Sequence, residues 1–385
     1  MQSKTISCSS LDELLIHREA LSQFHPDVII VYASASFFDD DQLFATLLPF
    51  CGNLLGCSTA GEVSGEQVRE NSISIILWRF QTDAHAKIYT CELAGMQASK
   101  EVGVTLANQI QSDSLRGVYI LAPGVNVNGS ALVDGLRQKL PQHVGISGGL
   151  AGDGDAFEKT FVMGPNSISN QQVVALALYG DKLDFDYAAL AGWRSFGPTR
   201  LVTKATENQL YELDYQSALD IYKKYLGEYA EDLPASGLLF PFEVIDSEGR
   251  SVGIIRTILG VDERQQSLTL AGEVHEGQYV RLMHASTDEL IDGASHASMQ
   301  LPMYRSASAA HNKSQDIALI TSCVGRKLVM GDRVEEEIEE VAHCLPENVK
   351  IAGFYSYGEM SPFNGTLHSQ LHNQTLTIML LRERI

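Results

Sequence analysis

One turn is written three times along this chain, and a repeat constrains a fold more tightly than any composition. Gly56-Cys57-Ser58-Thr59-Ala60-Gly61-Glu62 returns as Gly353-Phe354-Tyr355-Ser356-Tyr357-Gly358-Glu359. A looser copy is Ser147-Gly148-Gly149-Leu150-Ala151-Gly152-Asp153. Each follows a short apolar run and ends in glycine plus a carboxylate. Self-similarity of this kind points to one supersecondary unit used three times. It predicts that Glu62, Asp153 and Glu359 occupy equivalent ends of similar strand–turn–strand units.

The surroundings of the turns repeat as well. The first unit reads as a strand over 28–32, a helical stretch near 41–50, the turn, then a strand over 73–80. The second reads as 118–122, a helix over 130–140, the turn, then 173–179. The third reads as 317–321, a helix over 332–344, the turn, then 375–381. Strands of this apolar density are buried on both faces, so other layers must cover them. In the third helix, Asp332 is the expected N-cap, with Glu335 completing a capping box and Val334, Ile338, Val341 and Leu345 on one face. Between the second and third units, residues 201–213 read as a hairpin turning at Glu207-Asn208. Asp214 is expected to cap a helix running to about Tyr229. Two strands flank Asp246-Ser247-Glu248-Gly249 as a further hairpin. Strands follow at 268–271 and 279–283, and a small, polar stretch over 285–310 is helical around 287–299. The fold class is mixed α/β (α+β), and 385 residues suit two domains, 1–200 and 201–385.

The net charge of -20 repels nucleic acid and anionic membrane, so neither is an expected partner. No apolar run nears the roughly 18 residues of a membrane span. No basic-then-apolar leader stands at the N-terminus, so the expected location is cytoplasmic. The six cysteines, Cys8, Cys51, Cys57, Cys91, Cys323 and Cys344, lie far apart without C-x-x-C or zinc-finger spacing and read as buried thiols. Residues 147–154 are glycine-rich but lack the G-K-[ST] ending of a phosphate loop. No Ser-His-Asp, paired-carboxylate or H-E-x-x-H pattern stands out, so the chain does not read as an enzyme.

Seven segments in this order and spacing carry a resemblance: 56–62, 145–153, Gly192-Trp193-Arg194-Ser195-Phe196-Gly197-Pro198, Tyr211-Glu212-Leu213-Asp214, Cys323-Val324-Gly325-Arg326, 352–359 and His372-Asn373-Gln374-Thr375-Leu376-Thr377. Together they resemble the FIST family, a bacterial sensory module with an N-terminal FIST domain (1–200) and a C-terminal one (201–385). The resemblance covers nearly the whole chain. It implies a small-ligand sensor in signal transduction. One branch, the NosP proteins, resembles a haem-binding nitric oxide sensor acting on a partner histidine kinase, and this chain looks like that stand-alone branch. The alternatives are a haem-free binder of an amino acid or similar metabolite, and an enzyme of unassigned chemistry.

The resemblance sets which residues to weigh. Haem b, held non-covalently, needs an axial ligand in an apolar pocket. His372 enters the final apolar strand and is the first candidate metal ligand, with Phe354, Tyr355 and Tyr357 as expected cover for the macrocycle. His296, in a small-residue helix with Met299 three residues on, is the second. The turn acids Glu62, Asp153 and Glu359, with Tyr355, are candidates for gripping a ligand. Alternatively each acid stabilises its own turn by accepting backbone N–H bonds. Arg256, inside an apolar strand, needs a partner: a ligand carboxylate, a propionate or an internal acid.

Overall fold

The computed structural model describes residues 1–110, 113–301, 315–363 and 366–385. Three of its four sheets have six strands and the same plan. A parallel pair forms the centre of each: Val28–Ser34 with Leu54–Thr59, Leu115–Ala122 with Gly145–Leu150, and Ile317–Cys323 with Lys350–Ser356. The long apolar strand after each turn runs antiparallel to the first of the pair: Ile73–Arg79, Gln172–Tyr179 and Leu376–Glu383. An earlier strand closes the edge: Gln2–Cys8, His85–Glu92 and Leu183–Leu190.

The hairpin after each turn leaves its own sheet. Glu62–Ser64 pairs with Lys350–Ser356 of the third unit. Gly358–Pro362 pairs with Gly145–Leu150 of the second, and Val162–Met163 with Leu54–Thr59 of the first. Unit one therefore completes unit three, three completes two, and two completes one. The exchange closes into a ring, so no unit finishes its sheet alone. Inside the ring the three sheets face one another through residues such as Tyr32, Tyr119, Leu319 and Phe354. Their other faces are covered by helices, among them Ser99–Ile110, Gly129–Arg137 and Val334–Cys344. Cover on both faces is why the central strands read as unbroken apolar runs.

The repeated glycine has one physical cause. A Cβ on Gly56 would meet the carbonyl oxygen of Val31 at 2.4 Å, on Gly148 that of Ile120 at 1.9 Å, and on Gly353 that of Ile320 at 2.0 Å. Each is the residue paired across the parallel ladder. This contact also sets the true alignment of the turns. Counting on from Gly56, Gly148 and Gly353 places Glu62, Gly154 and Glu359 in equivalent positions. Asp153 falls one residue early, and its chain runs on through a loop before Val162 joins the neighbouring sheet. The expected equivalence of three acids is corrected to two.

The eight-stranded sheet lies between the third unit's edge strand and its helix Thr287–Met299, from Arg194–Thr206 to Tyr279–His284. It has its own core, including Val202, Tyr222, Phe242 and Leu268. The hairpins expected around 207–208 and 246–249 are there, as Arg194–Thr206 with Gln209–Leu213 and Phe242–Ile245 with Ser251–Arg256. The helix over 287–299 is there too, opened by a capping box of Ser286 and Glu289. The part of the 285–310 stretch beyond 301 lies outside the described residues. Two expected caps are corrected. Asp214 takes Arg200 and the Leu201 N–H, and Ser217 caps the helix Ala218–Leu226 instead. Asp332 lies in a short 3-10 turn, Gly331–Arg333, that precedes the helix Val334–Cys344. Strands from both sides of residue 200 share a sheet, as Leu183–Leu190 pairs with Leu376–Glu383. Among the described residues, no helix is long and apolar enough to cross a membrane.

Candidate functional site

A cavity of about 1120 Å³ opens where the three-sheet body meets the eight-stranded sheet. The body contributes the loop before helix Gly129–Arg137, the loop after Asp153, and Tyr357 of the third turn. The eight-stranded part contributes the 3-10 segments Gly227–Asp232 and Ala235–Leu239, the strand Ile258–Asp262, and residues 269–273. Apolar side chains such as Leu233, Leu239, Ile258 and Leu270 dominate the walls, with a few convergent polar groups. The lining is that of a small-molecule site, and the volume lies just above the roughly 300–1,000 Å³ that such sites typically span.

Two contacts pin the walls to each other. Asn128 caps helix Gly129–Arg137 by accepting from the Ala131 N–H, and its amide donates to Glu273 across the cleft at 2.6 Å. Glu273 thereby answers the positive end of that helix. On the other side, Gln374 donates to the carbonyl of Leu238, a lining residue, at 2.9 Å, and Trp193 donates to the carbonyl of Gln374.

Two of the three repeated turns reach this cleft. Asp153 accepts from the backbone N–H groups of Phe157, Glu158 and Lys159 at 3.0, 2.9 and 2.7 Å. Tyr357 donates its hydroxyl to Asp153 and accepts from the Phe157 N–H at 3.1 Å. This clasp holds Phe157 at φ +54°, a backbone region that non-glycine residues avoid, and lays its ring on that of Tyr357 at 4.1 Å. The resulting aromatic plate lines the cleft. Asp153 thus stabilises its own loop and acts on the site by positioning Phe157. Hydrogen bonds to a charged acceptor are worth roughly 1.5–3 kcal/mol. Asp153→Ala should therefore speed amide exchange of Phe157, Glu158 and Lys159 by about 10- to 100-fold. Unchanged protection would show that something else holds the loop.

The other expected site residues lie elsewhere. Glu62 and Glu359 are 1% and 0% exposed. Glu62 accepts from Thr59, Ser34 and both donors of Ser72; Glu359 accepts from Ser356 and the Thr375 N–H. The two sets match by position: a hydroxyl three residues earlier and the backbone just before the closing strand. Burial raises both carboxyls, Glu359 to about 8. Each acid ties up its own turn, and neither lines the cleft. Tyr355 is fully buried and donates to Glu337, so it belongs to an internal network.

Arg256 sits behind the wall. Its guanidinium packs where a Cβ on Gly272 would stand, 2.8 Å away, and Gly272 lines the cleft. It donates to the carbonyls of Glu273, Ile255 and Leu371 and to the Asn373 side chain. Burial pulls its pKa down to about 10. Arg256 therefore braces the wall against the strand Ser369–His372 and is not itself among the residues that line the cleft.

The histidines do not meet in the cleft either. His372 is 0% exposed, bonds the Ser361 carbonyl through Nε2, and packs its ring against Phe363. Burial lowers its pKa to about 4. His296 and Met299 are exposed on the helix Thr287–Met299. Among the described residues no histidine lines the cavity, so the residues present give haem no histidine ligand there.

The cleft residues Phe157, Tyr229, Asn128 and Glu273 were not singled out from sequence. Asn128 stands two residues before the helical stretch expected over 130–140, a cap signal that was legible. An isolated Phe157 in a polar loop and the apolar run at 233–239 were weaker signs.

Family models match both halves of the chain, the FIST N domain over residues 27–216 and the FIST C domain over 218–362. No protein of curated function matches. Among solved structures, the chain is similar to cyanuric acid hydrolase from A. caulinodans at 10% identity, with 99% of each chain covered and a TM-score of 0.32. A likeness at that level bears on neither fold nor chemistry.

Proposed function

Because the chain belongs to the FIST family, whose domains occur in signal-transduction sensor proteins, we propose that it senses a small molecule held in the cleft between its two parts. The output in this reading is altered contact with a partner histidine kinase. The observation that carries the proposal is the large, mostly apolar cavity bordered by elements of both parts. A ligand touching both walls favours whichever relative position makes those contacts best, and such differential affinity is what a sensor requires. The haem-free form of the reading is preferred, since His372 is fully buried outside the cleft lining and His296 faces solvent.

Titration with the uncharged dye Nile red tests the site. Wild-type protein should take up one dye with a rise in fluorescence. Ala235→Trp, which fills the cleft from an exposed lining position, should lose that uptake while keeping its circular dichroism. Equal uptake by both proteins removes the cleft as the site. Haemin titration is the companion measurement. A stoichiometric Soret band that disappears in His372→Ala would restore the haem reading.

A further inference from the structure

The chemistry of the cavity selects among ligands. Its charged lining groups are Asp155, Asp232 and Glu273, and among the described residues no Lys, Arg or His joins them. Glu273 is engaged by Asn128. Asp155 from the body and Asp232 from the eight-stranded part are exposed lining residues, and neither forms an ion pair among the described residues. Three cations beside lining residues are committed elsewhere, Lys159 lying over the Phe161 ring. Arg256 is spent on carbonyls behind Gly272, and Lys327 is held by Glu70 and the Ala60 carbonyl. The stacked Phe157 and Tyr357 offer π faces at the same cleft, with Tyr229 also in the lining. Aromatic faces and carboxylates both attract positive charge and both repel anions. The field of a chain carrying -20 adds to the same sign.

We infer that the cleft takes a hydrophobic organic cation, an aryl or alkyl amine whose apolar body fills the walls and whose ammonium lies between Asp155, Asp232 and the aromatic plate. This rests on the cleft being the ligand site. It also sets the chain apart from a binder that would anchor an amino-acid carboxylate on arginine.

Three probes with one body separate the possibilities: 2-(1-naphthyl)ethylamine, 2-(1-naphthyl)ethanol and 1-naphthylacetate, each titrated by calorimetry at neutral pH. The amine should bind about tenfold or more tightly than the alcohol, and the carboxylate more weakly than either. Asp155→Asn with Asp232→Asn should bring the amine down to the alcohol's level and leave the alcohol unchanged. A carboxylate that binds as well as the amine, an amine preference that survives the double variant, or no binding by any of the three overturns the inference. Ala235→Trp keeps the two levels apart. If all three probes bind wild type equally and lose Ala235→Trp, the cleft stands and its charge selectivity falls. If they bind both proteins alike, the cleft itself falls.

Discussion

Arg326→Ala should lower the unfolding free energy by about 3–5 kcal/mol, the usual cost of stranding one partner of a buried ion pair. Arg326 and Glu337 are both fully buried. The guanidinium donates to Glu337 through Nε and Nη2, and its remaining donors reach the carbonyls of Ala191, Leu290 and Gln374. Ser322 and Tyr355 supply hydroxyls to the other oxygen of Glu337 at 2.8 Å each. One side chain thus ties together the link into the eight-stranded sheet, the helix Thr287–Met299, the helix Val334–Cys344, and Gln374, which holds the cleft wall at Leu238. Alanine leaves a buried carboxylate without its cation and takes one donor from each of three carbonyls, that of Gln374 keeping Trp193. The control is Glu337→Gln. In wild type it should destabilise, because it weakens a charged pair. In the Arg326→Ala background it should stabilise, because it removes the stranded charge while keeping an acceptor for Tyr355 and Ser322. Urea unfolding of the four proteins gives the sign in each background. Glu337→Gln destabilising both to the same degree would mean that the two groups do not depend on each other.

The repeat was legible in sequence because its glycine has a backbone cause. At Gly56, Gly148 and Gly353 a neighbouring carbonyl leaves no room for a side chain, so the residue identity itself reports the geometry. The acids misled by one position in the second turn, since a sequence alignment slides past Gly148 where the strand pairing does not. The exchange of hairpins was not legible. Glu62–Ser64 carries nothing that says which of three similar sheets it will join, and that choice is made by closure of the ring. Arg256 shows the same limit from another side. An arginine in an apolar strand announces that it needs partners, but here they are main-chain carbonyls, which no sequence pattern marks. The cleft was hidden for a related reason. Its walls come from segments as distant as Asn128, Phe157, Leu239 and Glu273, and only the placing of the eight-stranded sheet brings them together.

Glu359→Gln should make the protein more stable above neutral pH and flatten its dependence on pH. Burial is the first cause of the rise in the Glu359 carboxyl, from an ordinary 4.5 to about 8. The folded state therefore keeps a proton that the unfolded state has released. Between those two values the folded chain binds more protons, so stability falls as pH rises, by about 1.4 kcal/mol per unit for one group. Below 4.5 both states are protonated and the penalty is absent; above 8 it is complete. His372 works in the opposite direction, with burial taking it from 6.5 to about 4. It stays neutral in the fold while the unfolded chain charges, so its contribution to stability is lost as pH falls from 6.5 towards 4. The two effects oppose each other between 4.5 and 6.5. Above 6.5 the Glu359 loss stands alone of the two, about 2 kcal/mol by pH 8. Glutamine mimics the protonated acid: its oxygen can accept the Thr375 N–H, and its amide can donate to Ser356 once that hydroxyl turns to accept. Every other titrating group is common to both proteins, so the difference between their urea midpoints across pH 6.5 to 8 isolates this carboxyl. The gap should widen steadily in favour of Glu359→Gln. Parallel curves, or a glutamine variant that is the weaker protein at pH 8, would mean that Glu359 is ionised and comfortable where it lies, and that its buried hydrogen bonds outweigh the loss of water.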